Sequence, residues 1–143
     1  LKTGQVLILA GLYFSARQDS REKKINLLIP LLFSIALLIS SLINERKIEV
    51  ILMGCLGGLV VLILSWLSRG KIGLGDGAVL VMTGIGMGFY RNMALMLLAS
   101  ALMMIFALLG MAGGKICLRS KIAFVPFLLI AFVIMLALGG EWR

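Results

Sequence analysis

Two aspartates carry the chemistry that this sequence offers. Asp76 sits inside Gly73-Leu74-Gly75-Asp76-Gly77, a flexible polar knot between two apolar runs, and Asp19 follows the first apolar run of the chain. Glycines free the backbone from side-chain constraint, and an ionisable group at the margin of a membrane-embedded bundle is costly enough to point to function. Two carboxylates held close cannot both ionise cheaply, so they share a proton, one serving as base and the other as acid. Such a pair can turn water against a peptide bond without metal or cofactor. The expectation is therefore that Asp19 and Asp76 meet as a catalytic pair. Plainer readings compete with it: Asp76 as the N-terminal cap of a helix, and Asp19 in a surface ion pair with Arg17 or Arg21, which would contribute little.

The elements that must position these acids are read from hydropathy. The chain has 143 residues, 62% of them hydrophobic and 14% charged, with a mean hydropathy of +1.14. Soluble domains carry roughly a quarter charged residues, so the composition is that of a membrane protein. The polar segments are too short to bury a soluble core, which leaves a single all-α transmembrane domain over residues 1–143. Six apolar runs are expected as spans: residues 6–14, 27–43, 50–67, 78–90, 93–111 and 122–138. Residues 6–14 have the length of a signal-peptide core, but one cation precedes them and four follow closely, the reverse of a signal peptide's order, so they read as a span. Pro30 falls in the first turn of the second span, where a missing N–H costs little. Gly54, Gly57 and Gly58 in the third span allow close helix approach, and Trp66 near its end reads as an interface anchor. The fourth span is short, and Gly84, Gly86 and Gly88 make it small-faced, as suits a helix surrounded by other helices. Arg91 and Asn92 read as a turn into the fifth span. Pro126 is expected to bend the sixth.

Charge sets the orientation. The first, third and fifth connections hold four, two and three of the fourteen Lys and Arg residues, and the remaining five are spread over the termini and the even connections. Positive residues stay inside, so the odd connections, and with them Asp19 and Asp76, are expected to face the cytoplasm from an inner membrane, with both chain ends outside. The net charge of +8 comes in short clusters suited to anionic lipid headgroups, without the basic stripe and interleaved aromatics that would indicate nucleic acid. The two cysteines, Cys55 and Cys117, form neither a CxxC nor a zinc spacing. No metal is expected, and both thiols read as inert.

The Gly73-Leu74-Gly75-Asp76 stretch resembles the Gly-x-Gly-Asp motif of the type IV prepilin peptidases, a family within the intramembrane aspartic proteases. Asp19, followed by a short basic run and then Ile25-Asn26, is similar to that family's first aspartate element, whose Ile-Pro-Asn here lacks its proline. Phe124-Val125-Pro126-Phe127-Leu128 resembles the family's Pro-Phe-x-Pro-Phe-Leu stretch, again without the first proline. The likeness extends over nearly the whole chain. It implies an aspartic endopeptidase that removes the short basic leader of a membrane-inserted, pilin-like precursor, with Asp19 and Asp76 as the catalytic pair and Gly73, Gly75, Gly77, Ile25 and Asn26 as supporting motif residues. It implies no cofactor. The paired CxxC motifs that accompany methylation in many members are missing, so methylation is not expected.

Other polar residues carry weaker signals. Asn26 is expected to cap the second helix rather than touch Asp19. Lys71 is expected to contact headgroups. The nine methionines read as adaptable packing. Two rival functions are a small transporter, with the acids binding a proton or cation, and a noncatalytic pilus-assembly factor derived from the same fold. A transporter would place its acids nearer the midplane.

Overall fold

A computed structural model of the chain describes residues 3–22, 26–67, 73–114 and 122–138, and every regular element among them is an α-helix. The helices are α1 (Thr3–Glu22), α2 (Leu28–Ile43), α3 (Ile48–Leu67), α4 (Leu74–Met87), α5 (Phe89–Ala112) and α6 (Val125–Leu138). Two of them, α3 and α5, are long and apolar enough to cross a membrane.

The short helix α4 is the axis of the bundle. It packs against α1, α2, α3 and α5, while α6 closes the other side by packing on α1 and α5. Nine of the fourteen residues of α4 are buried, which fits the expectation of a helix enclosed by others. Glycine makes this possible where α3 and α4 cross. A Cβ on Gly54 would collide with the carbonyl oxygen of Gly84, one on Gly84 with that of Gly54, and one on Gly58 with the backbone nitrogen of Val81. With no side chain between them the two backbones touch, and dispersion contacts accumulate along the pair.

The antiparallel register of α1 against α4 follows from two contacts. A Cβ on Gly11 would meet the Met82 sulfur at 2.8 Å, and one on Gly86 would meet the Ile8 side chain at 2.5 Å. Continued along both helices at a common rise, this register sets Ser15 opposite the region of Ala78 and Val79, and Asp19 opposite the first turn of α4. The buried residues of α1, Ile8, Leu12, Ser15, Ala16 and Asp19, recur at helical spacing and form its bundle-facing stripe. The opposite faces of the outer helices are apolar and exposed, among them Leu32, Ile39, Leu52, Ile63, Leu97 and Leu108.

Several boundaries differ from the sequence reading, each for a local reason. Residues 17–22 continue α1 rather than forming a loop, because Ala16, Arg17, Gln18 and Arg21 are good helix formers with no breaker among them. The fourth helix begins at Leu74 and ends at Met87, because Gly88, at φ 79°, reverses the chain within one residue and serves as C-cap of α4 and N-cap of α5 together. Arg91 and Asn92 are accordingly helical, inside the first turn of α5, and not a turn. Pro126 is the second residue of α6, so it starts the helix instead of bending it; its lacking N–H is among those with no intrahelical partner anyway. Arg46, in the α2–α3 connection, donates to the Gly86 carbonyl at 2.6 Å and so satisfies an orphan acceptor at the far end of α4.

Candidate active site

Asp19 projects from the last turn of α1 into the bundle and is only 7% exposed. Its partner is not an arginine: Arg17 and Arg21 are exposed, and the carboxylate oxygen Oδ2 accepts the backbone N–H of Val125 at 3.1 Å. The backbone N–H of Phe124 also favours its charged form. Asp19 thus meets the start of α6, where unpaired N–H groups and the positive end of the helix dipole welcome an anion. The Phe124-Val125-Pro126 stretch singled out in the sequence is what the first aspartate touches.

Asp76 is the third residue of α4, half-buried, with its own N–H on the Gly73 carbonyl at 3.1 Å. The N-cap of α4 is Gly73, not Asp76. The Asp76 side chain folds back over it: a Cβ on Gly73 would lie 2.9 Å from Oδ2. A side chain at position 73 would therefore push the carboxylate aside. Gly77 is buried against α3, where a Cβ would sit 2.8 Å from the Leu62 side chain, and Gly75 is buried on the same turn. These glycines let the first turn of α4 approach its neighbours closely enough to carry Asp76 inward.

The fold brings the two acids into mutual electrostatic reach. Both lie outside the apolar stretches of their helices, at the polar end of α1 and in the first turn of α4. Burial pushes the Asp76 carboxyl up to about 6, and the negative charge of Asp19 adds to the rise. Burial also raises Asp19, against the pull of the Val125 and Phe124 N–H groups. Both carboxyls are thereby held toward their neutral forms, and at Asp19 the backbone donors offset part of the effect, so the two environments are unequal, as those of a general acid and a general base must be.

Asn26 makes its hydrogen bonds at the start of α2 and with the Gln18 side chain. Its Oδ1 accepts the N–H of Leu28 at 3.2 Å, a capping role at the start of α2, while its own N–H donates to Gln18 Oε1 at 3.0 Å. Ile25, Lys71 and Cys117 lie outside the described residues. Cys55 is a half-buried free thiol on α3. Among the described residues no group of three or more His, Cys, Asp or Glu side chains comes together to hold a metal.

Of the buried polar residues that the sequence reading did not place inside the bundle, Asn92 and Ser15 matter most for the site. Asn92, fully buried, accepts the Thr83 hydroxyl at 2.7 Å and donates to the carbonyl oxygens of Leu80 at 2.9 Å and Gly54 at 3.4 Å, tying α3, α4 and α5 at the glycine crossing. Its neighbour Arg91 and the glycines before it suggested a turn, and only the crossing shows why an amide is needed inside. Ser15, also fully buried, lies one helical turn before Asp19 on the same stripe of α1. That i, i+4 spacing was the available signal.

Comparison with protein-family models, with curated proteins and with solved structures finds no match to this chain.

Proposed function

We propose that this protein is an intramembrane aspartic endopeptidase of the prepilin-peptidase type, which removes a short basic leader from pilin-like precursors at the cytoplasmic face. The observation that carries the reading is the convergence of Asp19 and Asp76: two carboxyls at the same end of the bundle, the charge of one raising the other. The contact of Asp19 with the start of α6 adds to it, since three stretches picked out by the family resemblance, around Asp19, Asp76 and Val125, then border one site.

In this reading the apolar stretches of all six helices lie in the membrane, and the polar end of α1 and the first turn of α4 stand at its cytoplasmic margin. The apolar outward faces of α2, α3 and α5 support it, because a water-soluble protein rarely leaves so continuous an apolar surface bare. The shorter helices would cross with local thinning of the bilayer. The basic odd connections would hold the acids on the cytoplasmic side and meet anionic lipid there.

The division of labour follows from the two environments. In the form that reacts the pair holds one proton: Asp19, with backbone N–H donors, is ionised and takes a proton from water, while Asp76, which burial and the Asp19 charge make harder to ionise, carries the proton and donates it to the oxygen of the scissile carbonyl. Attack of that water gives a tetrahedral gem-diol, and collapse with proton transfer to the departing amine breaks the C–N bond. No covalent enzyme adduct forms. A precursor whose hydrophobic helix lies in the bilayer presents its leader junction at the level of these acids.

The test is incubation of the purified protein in detergent with a pilin-like precursor, followed by mass spectrometry. A loss equal to the leader is expected. An intact precursor, with the enzyme shown to be folded, would overturn the reading.

A further inference from the structure

Ser15 is fully buried, and among the described residues its hydroxyl has no hydrogen-bond partner. Other hydroxyls in the bundle solve the same problem by folding back on their own helix. Ser34 donates to the Pro30 carbonyl at 2.6 Å and Ser100 to the Met96 carbonyl at 2.8 Å. Ser15 does not make the equivalent bond to Gly11. A buried hydroxyl without a partner is costly, and in native structures it marks an ordered water or a functional role.

Its place in the fold says which. Ser15 and Asp19 are one helical turn apart on the bundle-facing stripe of α1, about 6 Å along the axis. The α1–α4 contacts at Ile8 and Gly11, continued at helical rise, run Ser15 toward the second turn of α4, next to the turn that carries Asp76. Two oxygens about 5.5 Å apart are bridged by one water at ordinary hydrogen-bond lengths. Asp19 Oδ2 accepts from Val125, and a carboxylate carries a second oxygen, Oδ1, able to accept from a water.

We propose that Ser15 is a positioning residue whose hydroxyl holds a water beneath the acid pair, the water that Asp19 deprotonates. The proposal rests on the peptidase reading for the fate of that water, but not for its presence. The hydroxyl donates to or accepts from the water without being consumed. The water's proton goes to Asp19, its oxygen forms the new C–O bond, and Ser15 is unchanged at the end of the cycle. A second anchor matters because a water held by one carboxylate alone can swing, whereas one held from two sides keeps a lone pair directed at the carbonyl.

Ser15→Ala removes the hydroxyl with almost no change in volume, so the variant is expected to insert and melt like the wild type. Precursor cleavage is expected to lose on the order of a hundredfold in kcat with KM unchanged, and Ser15→Thr, which keeps the hydroxyl, to recover a large part of it. Independently of cleavage, infrared difference spectra of the full protein between acidic and alkaline buffer are recorded in ordinary and oxygen-18 water. They are expected to contain an isotope-sensitive bound-water band that is absent in Ser15→Ala and in Asp19→Asn. A wild type that cleaves and a Ser15→Ala variant with the same kcat would overturn the positioning role while leaving the peptidase standing. A wild type that cleaves nothing would remove the peptidase reading, and the water band would then decide on Ser15 alone: lost in Ser15→Ala, the bound water stands; unchanged, it falls.

Discussion

Replacing Asp76 by asparagine should make the protein more stable and inactive at once. The Asp76 carboxyl is raised from an ordinary value of 3.8 to about 6, first by burial and then by the charge of Asp19. Between those two values the native state holds a proton that the unfolded chain has given up, so stability falls as pH rises through this window. Below about pH 4 both states are protonated and the penalty is absent; above about pH 6 it is fully present. A shift of this size corresponds to about 3 kcal/mol. Solvent screening of a partly exposed group and the loss of a favourable charge at the N-terminus of α4, about 0.3–1 kcal/mol, reduce it. Asp76→Asn is therefore expected to gain about 2 kcal/mol at neutral pH, on the order of 6 °C in melting temperature for a chain of this size, and nothing at pH 3.5. The assay is thermal unfolding in a mild detergent across pH 3.5 to 8, with wild type and variant side by side. An equal gain at every pH would show that packing and not ionisation separates the two proteins. A loss at neutral pH would mean that the Asp76 charge supports the helix more than burial opposes it, and would refute the reasoning.

Asp19→Asn and Asp76→Asn are each expected to abolish precursor cleavage, with the double variant no worse than either single, because the acids work as one unit; near-normal turnover by Asp76→Asn would end the paired-acid mechanism. Gly84→Ala is expected to cost about 2 kcal/mol or more, since its Cβ would meet the Gly54 carbonyl oxygen and the Asn92 amide, whereas Gly4→Ala, with open space around it, should be neutral; melting curves compare the two. Reporters fused after Lys24, Gly70 and Arg119 are expected to behave as cytoplasmic and one at Lys47 as external, and an external result at Gly70 would invert the topology.

What the sequence determined by itself was local. Runs of apolar residues interrupted by clustered charge are enough to specify six helices, because each helix satisfies its own backbone and each interruption is written in adjacent residues. The glycines of α3 and α4 were legible as sites of close approach for the same reason: a missing side chain can only leave room. The two aspartates were visible as costly residues at helix ends, and the enclosure of α4 followed from its shortness and its small residues.

Tertiary structure decided how these pieces meet. That Asp19 is helical and seated on the first N–H groups of α6 depends on α1 and α6 packing side by side, a contact between residues 106 positions apart that no local pattern encodes. Asn92 looks like a turn residue in the sequence because polarity next to glycine ordinarily marks one, yet the crossing of α3 and α4 leaves carbonyl oxygens inside that only a buried donor can satisfy. Ser15 becomes conspicuous only in the packed bundle, where its hydroxyl is buried without a partner while those of Ser34 and Ser100 donate to carbonyls of their own helices. Local spacing determines which face of a helix is apolar, but the partner of a buried polar group is set by where a distant helix ends, and that is a property of the packed bundle.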